Sequence, residues 1–148
     1  MQPLIEPAER TTSLVAAGVI LRLLTAAGLV VDAVVHLRVA GDYDRVGTQF
    51  TEGTMFRLES GVALLAALLV MLIPRWQTIL FAVLVAGSAV LALLASVYWQ
   101  PGPVGPFPDM YEPIWFTDKV IAVLAESVSL VAGLAALLIH TLSARTEP

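Results

Sequence analysis

Asp32 and His36 stand four residues apart in an otherwise apolar run, so on a helix both side chains leave one face about a turn apart. A carboxylate and an imidazole at that spacing can share one metal ion, or exchange a hydrogen bond through a buried water. Two further carboxylates, Glu59 and Glu126, occur in apolar runs of their own. A carboxylate in hydrocarbon costs about 2.5–3.5 kcal/mol even on a lenient insertion scale, so each should face protein or water. Glu126, deepest of the four, carries the strongest expectation of function. We therefore take Asp32, His36, Glu59 and Glu126 as a ligand or proton site, with Asp32, His36 and Glu126 as the expected metal ligands. One imidazole with two or three carboxylates suits Zn, Mn or non-haem Fe by ligand type. A quinone headgroup is the organic alternative, since it needs an apolar slot with a hydrogen-bonding histidine and acid.

Other metal chemistry is disfavoured. Neither histidine has a glutamate three residues before it, so the paired Glu-x-x-His pattern of di-iron bundles is missing. His36 and His140 fall near opposite membrane faces, about 30 Å apart by helix rise, which argues against a bis-histidine haem. With no cysteine, disulfides, thiolate metal sites and dithiol redox chemistry are excluded.

The residues that must position this chemistry are overwhelmingly apolar. Hydrophobic residues make up 58% of the 148 and charged ones only 14%, with a mean hydropathy of +0.85. Soluble domains carry roughly a quarter charged residues. Leu14 to Leu37, Met55 to Ile73, Thr78 to Tyr98 and Thr117 to His140 each approach the ~20 residues needed to cross hydrocarbon. They lack the alternation of barrel strands, so the expected fold is all-α: one polytopic four-helix bundle over residues 1–148. The first run follows an acidic segment and exceeds the length of a signal-peptide core, so it reads as a retained span.

Stripes follow from spacing. Arg22, Thr25, Asp32 and His36 share one face of the first span, and Lys119, Glu126, Gly133 and His140 recur every seven residues on the last, with Ser129 beside them. These two stripes should face each other. Ser88, Ala92 and Ser96 give the third span a small-residue face. Thr54 is the expected cap of the second helix, and Asp118 is expected to serve the dipole of the fourth. Arg22 is expected to snorkel to the nearby headgroups, while Arg10, His140 and Arg145 read as interfacial anchors. Glu59 has a structural alternative, pairing with Arg57, Arg38 or Lys119.

Residues 40–54 form a polar loop, Pro74 to Gln77 a tight hairpin, and residues 100–108 a Pro/Gly-rich non-helical connection, ending in the interfacial aromatics Tyr111, Trp115 and Phe116. Basic residues tie between the two sides. The lack of Lys and Arg in the third connection, with Arg22 in the N-terminal half of the first span, leads us to expect both termini in the cytoplasm and the protein in the plasma (inner) membrane. A net charge of −4 without a basic patch excludes nucleic-acid binding.

The segment Asp32-Ala33-Val34-Val35-His36-Leu37-Arg38, followed by Tyr43, Val46-Gly47-Thr48 and Arg57-Leu58-Glu59-Ser60, resembles a group of small four-helix integral membrane proteins of high-GC Gram-positive bacteria. Glu112-Pro113-Ile114-Trp115 ahead of a span with Glu126 extends the likeness. A more distant resemblance, limited to helix count and the polar first span, is to DoxX-like proteins, some of them quinone-linked redox or accessory subunits. It implies the architecture above.

Three functions fit. The first is an accessory or binding protein holding a metal ion or quinone headgroup in the outer half of the bundle, alone, as a homodimer or within a larger membrane complex. The second is a proton-coupled small-molecule transporter acting as a homodimer, though no inverted repeat or broken helix supports it. The third is a structural scaffold subunit of a membrane complex. The loops hold no nucleophile, triad or cofactor fingerprint, so an enzyme is the less favoured class.

Overall fold

The computed structural model describes residues 7–47, 49–100 and 102–144. Thr48, Pro101, Arg145 and the side chain of Arg10 lie outside the described residues. Four helices follow in order: α1 Pro7–Val39, α2 Glu52–Leu72, α3 Trp76–Tyr98 and α4 Thr117–Ala144. They pack antiparallel with α1 against α2 and α4, and α3 against α4, as the facing polar stripes of α1 and α4 require. Thr12–Val39, Glu52–Leu72, Trp76–Tyr98 and Thr117–Leu142 are each long and apolar enough to cross a membrane. This is a multi-pass membrane architecture.

Residues sort by size rather than by hydrophobicity. Large apolar side chains such as Ile20, Leu68, Leu91 and Val131 point outward, whereas the buried set is dominated by alanine, including Ala33, Ala63, Ala66, Ala82 and Ala86. Lipid tails are as apolar as leucine, so burial gains little from hydrophobicity and the interior is chosen for close approach. Gly28 illustrates the point. A Cβ there would run into Ser129 Oγ and the main-chain oxygen of Ala125. The closeness lets Ser129 Oγ donate 2.9 Å to the Thr25 carbonyl, tying α1 to α4. Ser60 Oγ likewise donates 3.1 Å to the Ala33 carbonyl, joining α2 to α1.

The helix ends differ from expectation in two places and match it in a third. Thr51, not Thr54, caps α2: its hydroxyl accepts from the Thr54 amide at 3.1 Å, so the helix starts a turn earlier than the apolar run suggested. Arg22 does not extend toward headgroups. Its guanidinium donates to the carbonyls of Val70 at 3.0 Å and Met71 at 3.1 Å, two of the orphan acceptors at the end of α2. Asp118 lies in the first turn of α4 but also 3.5 Å from Arg38.

At the opposite end from the short 73–75 turn, two longer loops cover the bundle. In residues 40–51, Asp44 meets Arg57 through two parallel contacts of 2.5 and 2.8 Å. Gly53 lets α2 start against this turn, because a Cβ would strike the Ala40 carbonyl and Asp44 Oδ1. In residues 99–116, Val104 and Phe107 pair across a tight turn, and the Glu112 amide donates 2.7 Å to Ser96. Phe50 and Phe107, 6.2 Å between ring centres, bring the two loops together.

Gly28→Ala should destabilise the bundle by about 1–3 kcal/mol through overpacking. Gly61→Ala, which meets nothing within 4 Å, should stabilise it by roughly 0.4–1 kcal/mol through the unfolded chain. Unfolding in mild detergent compares the two. The Arg57 guanidinium holds the Asp44 carboxyl below its ordinary pKa. A depressed folded-state pKa gives stability present above the usual carboxylate range and lost as pH falls through the folded value. The melting-temperature gap between wild type and Asp44→Asn should therefore be open at pH 7 and close on acidification.

Candidate functional site: a buried histidine–carboxylate cluster

Three helices deliver the site at one level. Asp32 and His36 lie about 10 and 5 Å from the end of α1, while Glu59 lies about 10 Å and Glu126 about 13 Å inside the starts of α2 and α4. The earlier start of α2 puts Glu59 two turns deep rather than one, level with Asp32. Antiparallel packing then brings the four together.

Asp32 and Glu126 are fully buried, and His36 and Glu59 keep 14% and 27% side-chain exposure. His36 Nδ1 is the centre of the arrangement. It lies 3.1 Å from the main-chain oxygen of Asp32, 2.9 Å from Asp32 Oδ1 and 3.4 Å from Glu59 Oε2. Only the main-chain contact has hydrogen-bond geometry; Oδ1, though nearer, lies off a usable direction and gains no hydrogen bond. Phe56 presses edge-on against the imidazole, 5.1 Å between ring centres, and limits its rotation. Both Glu59 and Glu126 face Asp32.

The carboxylates surround one another without donors. Both oxygens of Asp32, both of Glu59 and Oε2 of Glu126 are buried and lack a hydrogen-bond partner among the described residues. The cations that were expected to pair with Glu59 are placed elsewhere: Arg57 with Asp44, Arg38 with Asp118 and Lys119 with Glu112. Such a cluster can be neutralised only by shared protons or by a bound cation, since isolated buried charges cost several kcal/mol each.

Its geometry admits an ion. Asp32, His36 and Glu59 each offer a ligand atom, all within 4.8 Å of one another, so the group could hold a metal. Ligands about 2.0–2.2 Å from Zn stand roughly 3–4 Å apart, close to the 2.9 and 3.4 Å seen around Nδ1; an ion bound there would take the Nδ1 lone pair in place of the proton that Nδ1 donates to the Asp32 carbonyl. This triad substitutes Glu59 for Glu126 in the expected ligand set and leaves Glu126 beside it as a fourth carboxylate.

A cavity of about 200 Å³ leads from the cluster to the loop end. His36, Glu59 and Glu126 line its floor, and Val35, Phe56, Leu93 and Ala122 contribute apolar walls. At its mouth, Tyr43 donates 3.0 Å to Glu112, whose carboxylate also lies 3.0 Å from Lys119 Nζ. Lys119 additionally donates 2.8 Å to the Glu112 carbonyl. Burial, and next the Glu112 carboxylate, hold the Tyr43 hydroxyl above its ordinary pKa, which keeps it a donor.

Sequence reasoning did not assign Tyr43, Glu52, Glu112 or Lys119 to the site. Their signal was spacing: Glu52 precedes Glu59, and Lys119 precedes Glu126, by seven residues, two turns along the same face. His140 is exposed at the far end of α4, away from the cluster. Comparison with protein families, curated proteins and solved structures finds no match for this chain.

The cluster makes a distinctive stability prediction. In metal-free protein, Glu126→Gln should melt no lower than wild type, because the amide removes a carboxylate from a crowded group that lacks donors. A large destabilisation, read by thermal unfolding in chelator-treated detergent solution, would show that Glu126 is instead a satisfied structural element.

Proposed function

We propose that this is an integral membrane binding protein that holds a divalent transition-metal ion between Asp32, His36 and Glu59, with Glu126 as a further ligand or as the carboxylate that balances charge. The observation that carries this reading is that Asp32 and Glu59 each bring a buried, donorless oxygen within 3.4 Å of one imidazole nitrogen, with Glu126 facing Asp32 beside them. A purely structural role for the cluster explains it poorly: interhelical hydrogen bonds in membranes are worth about 0.6 kcal/mol on average, and these oxygens form none. One nitrogen with oxygen ligands suits Zn, Mn or Fe(II). The site would open toward the non-cytoplasmic side of the plasma membrane, with both termini cytoplasmic. Its kinship would be with small four-helix membrane proteins of high-GC Gram-positive bacteria, as an accessory protein in a homodimer or larger complex.

A second reading rests on the cavity. A dry apolar cavity of about 150 Å³ accepts benzene, so about 200 Å³ beside His36 has room for a ring-sized headgroup such as a quinone. One measurement addresses both. Protein purified in mild detergent without chelator should carry stoichiometric metal by mass spectrometry, lost in His36→Ala and in Glu59→Gln. An extracted quinone with no metal would favour the second reading, and neither species in wild type would defeat both.

A further inference from the structure

The polar residues of the cavity form two tiers. On α2, Glu52 and Glu59 are seven residues apart, and on α4 so are Lys119 and Glu126; each pair shares a helix face and spans about 10 Å. All four line the same cavity. Glu59 and Glu126 belong to the inner cluster, whereas Glu52 and Lys119 stand at the mouth.

Glu52 is the unexplained member of the outer tier. It is only 6% exposed, yet its carboxylate has no hydrogen bond or ion pair among the described residues. Its surroundings are the charges of Glu112, Lys119 and Asp109. Lys119, the one cation at hand and itself 8% exposed, is committed to Glu112 at 2.8 and 3.0 Å. In the first turn of α2 Glu52 suits the helix dipole, while the side-chain cap comes from Thr51, and neither role gives its carboxylate a partner. Its oxygens, unlike those of the inner carboxylates, are not sealed from the space that Glu52 lines, so a cation in the cavity can reach them, and that space continues to the inner cluster. That space, about 200 Å³, has the volume of six or seven waters at ~30 Å³ each, enough for a partly hydrated ion to pass.

We infer that Glu52, with Glu112 beside it, forms a second and weaker divalent-cation station at the mouth of the cavity, in series with the Asp32–His36–Glu59 site, through which metal enters from the loop end. The inference deepens the metal reading of the inner site and rests on it for the identity of the ion. The outer station has fewer ligands and a neighbouring ammonium, so it holds its ion more loosely, as a point of capture should. Lys119 tunes it: released from Glu112, its ammonium would fill the place of the incoming ion.

Titration of chelator-stripped, desalted protein in detergent with Mn²⁺, reading free Mn²⁺ by electron paramagnetic resonance, tests this directly. Wild type should bind one ion tightly and a second at least about tenfold more weakly. Glu52→Gln should keep the tight ion and lose the second; Glu59→Gln should lose the tight ion and keep the second. Glu112→Gln, which frees Lys119, should weaken the second ion alone and serves if Glu52→Gln fails to fold. Superimposable isotherms for wild type, Glu52→Gln and Glu112→Gln would overturn the outer station while leaving the inner site standing. Loss of an ion in Glu52→Gln with none lost in Glu59→Gln would defeat the inner assignment and keep the outer one. No Mn²⁺ bound to wild type would defeat both.

Discussion

Negative charge gathered inside an apolar bundle is the constraint to which the rest of the molecule answers. Asp32 and Glu59 meet at His36 and Glu126 faces Asp32, with five of their six carboxylate oxygens buried and without a donor among the described residues. Coulomb repulsion between carboxylates is strong where water is scarce, and the desolvation of each adds to it. Such a group is tolerable only if positive charge is supplied, and Arg22, Arg38, Arg57 and the buried Lys119 are committed to other partners. The cluster is therefore left open to an exogenous cation or to protons, which is the property of a binding site rather than of a structural ion-pair network.

Holding that charge in place requires helices that approach closely and do not slide. The bundle achieves this with small residues. Alanines fill the interior, Gly28 and Ser129 bring α1 onto α4, and Ser60 fastens α2 to α1 at the residue next to Glu59. Each of these contacts is weak alone. Together they fix the rotation of three helices, and rotation decides whether four ionisable side chains converge or face lipid. Arg22 completes the framework by occupying the carbonyls at the end of α2, far from the cluster.

The loops cover the mouth of the cavity above the cluster. Tyr43, Glu112 and Lys119 draw the two long connections and α4 together above the cavity, while the Asp44–Arg57 pair fastens the first loop to α2 outside it. A structural metal site would be closed on all sides. Here the floor of the cavity is the cluster, and an open path of apolar walls leads to a polar mouth.

The amino-acid sequence determined the four-helix membrane class, because runs of about twenty apolar residues have one way to satisfy their backbone in lipid. It also picked out Asp32, His36, Glu59 and Glu126, since ionisable groups in such runs are rare and costly, and it paired the stripes of α1 and α4 by their period. Several details were not legible. Thr51 and Thr54 offer similar capping chemistry, and only the path of the 40–51 loop selects between them. Arg22 reads as a snorkelling side chain until the end of α2 is placed beside it. Glu59 could have paired with any of three cations, and each proved closer to another acid. The outer tier was the least visible, because Glu52, Glu112 and Lys119 lie in ordinary polar surroundings along the chain. Their common cavity exists only once antiparallel packing sets the depth of each helix. Residue type and period along one helix are local properties, whereas the partners of a charge depend on the rotation and offset of neighbouring helices, which tertiary packing alone decides.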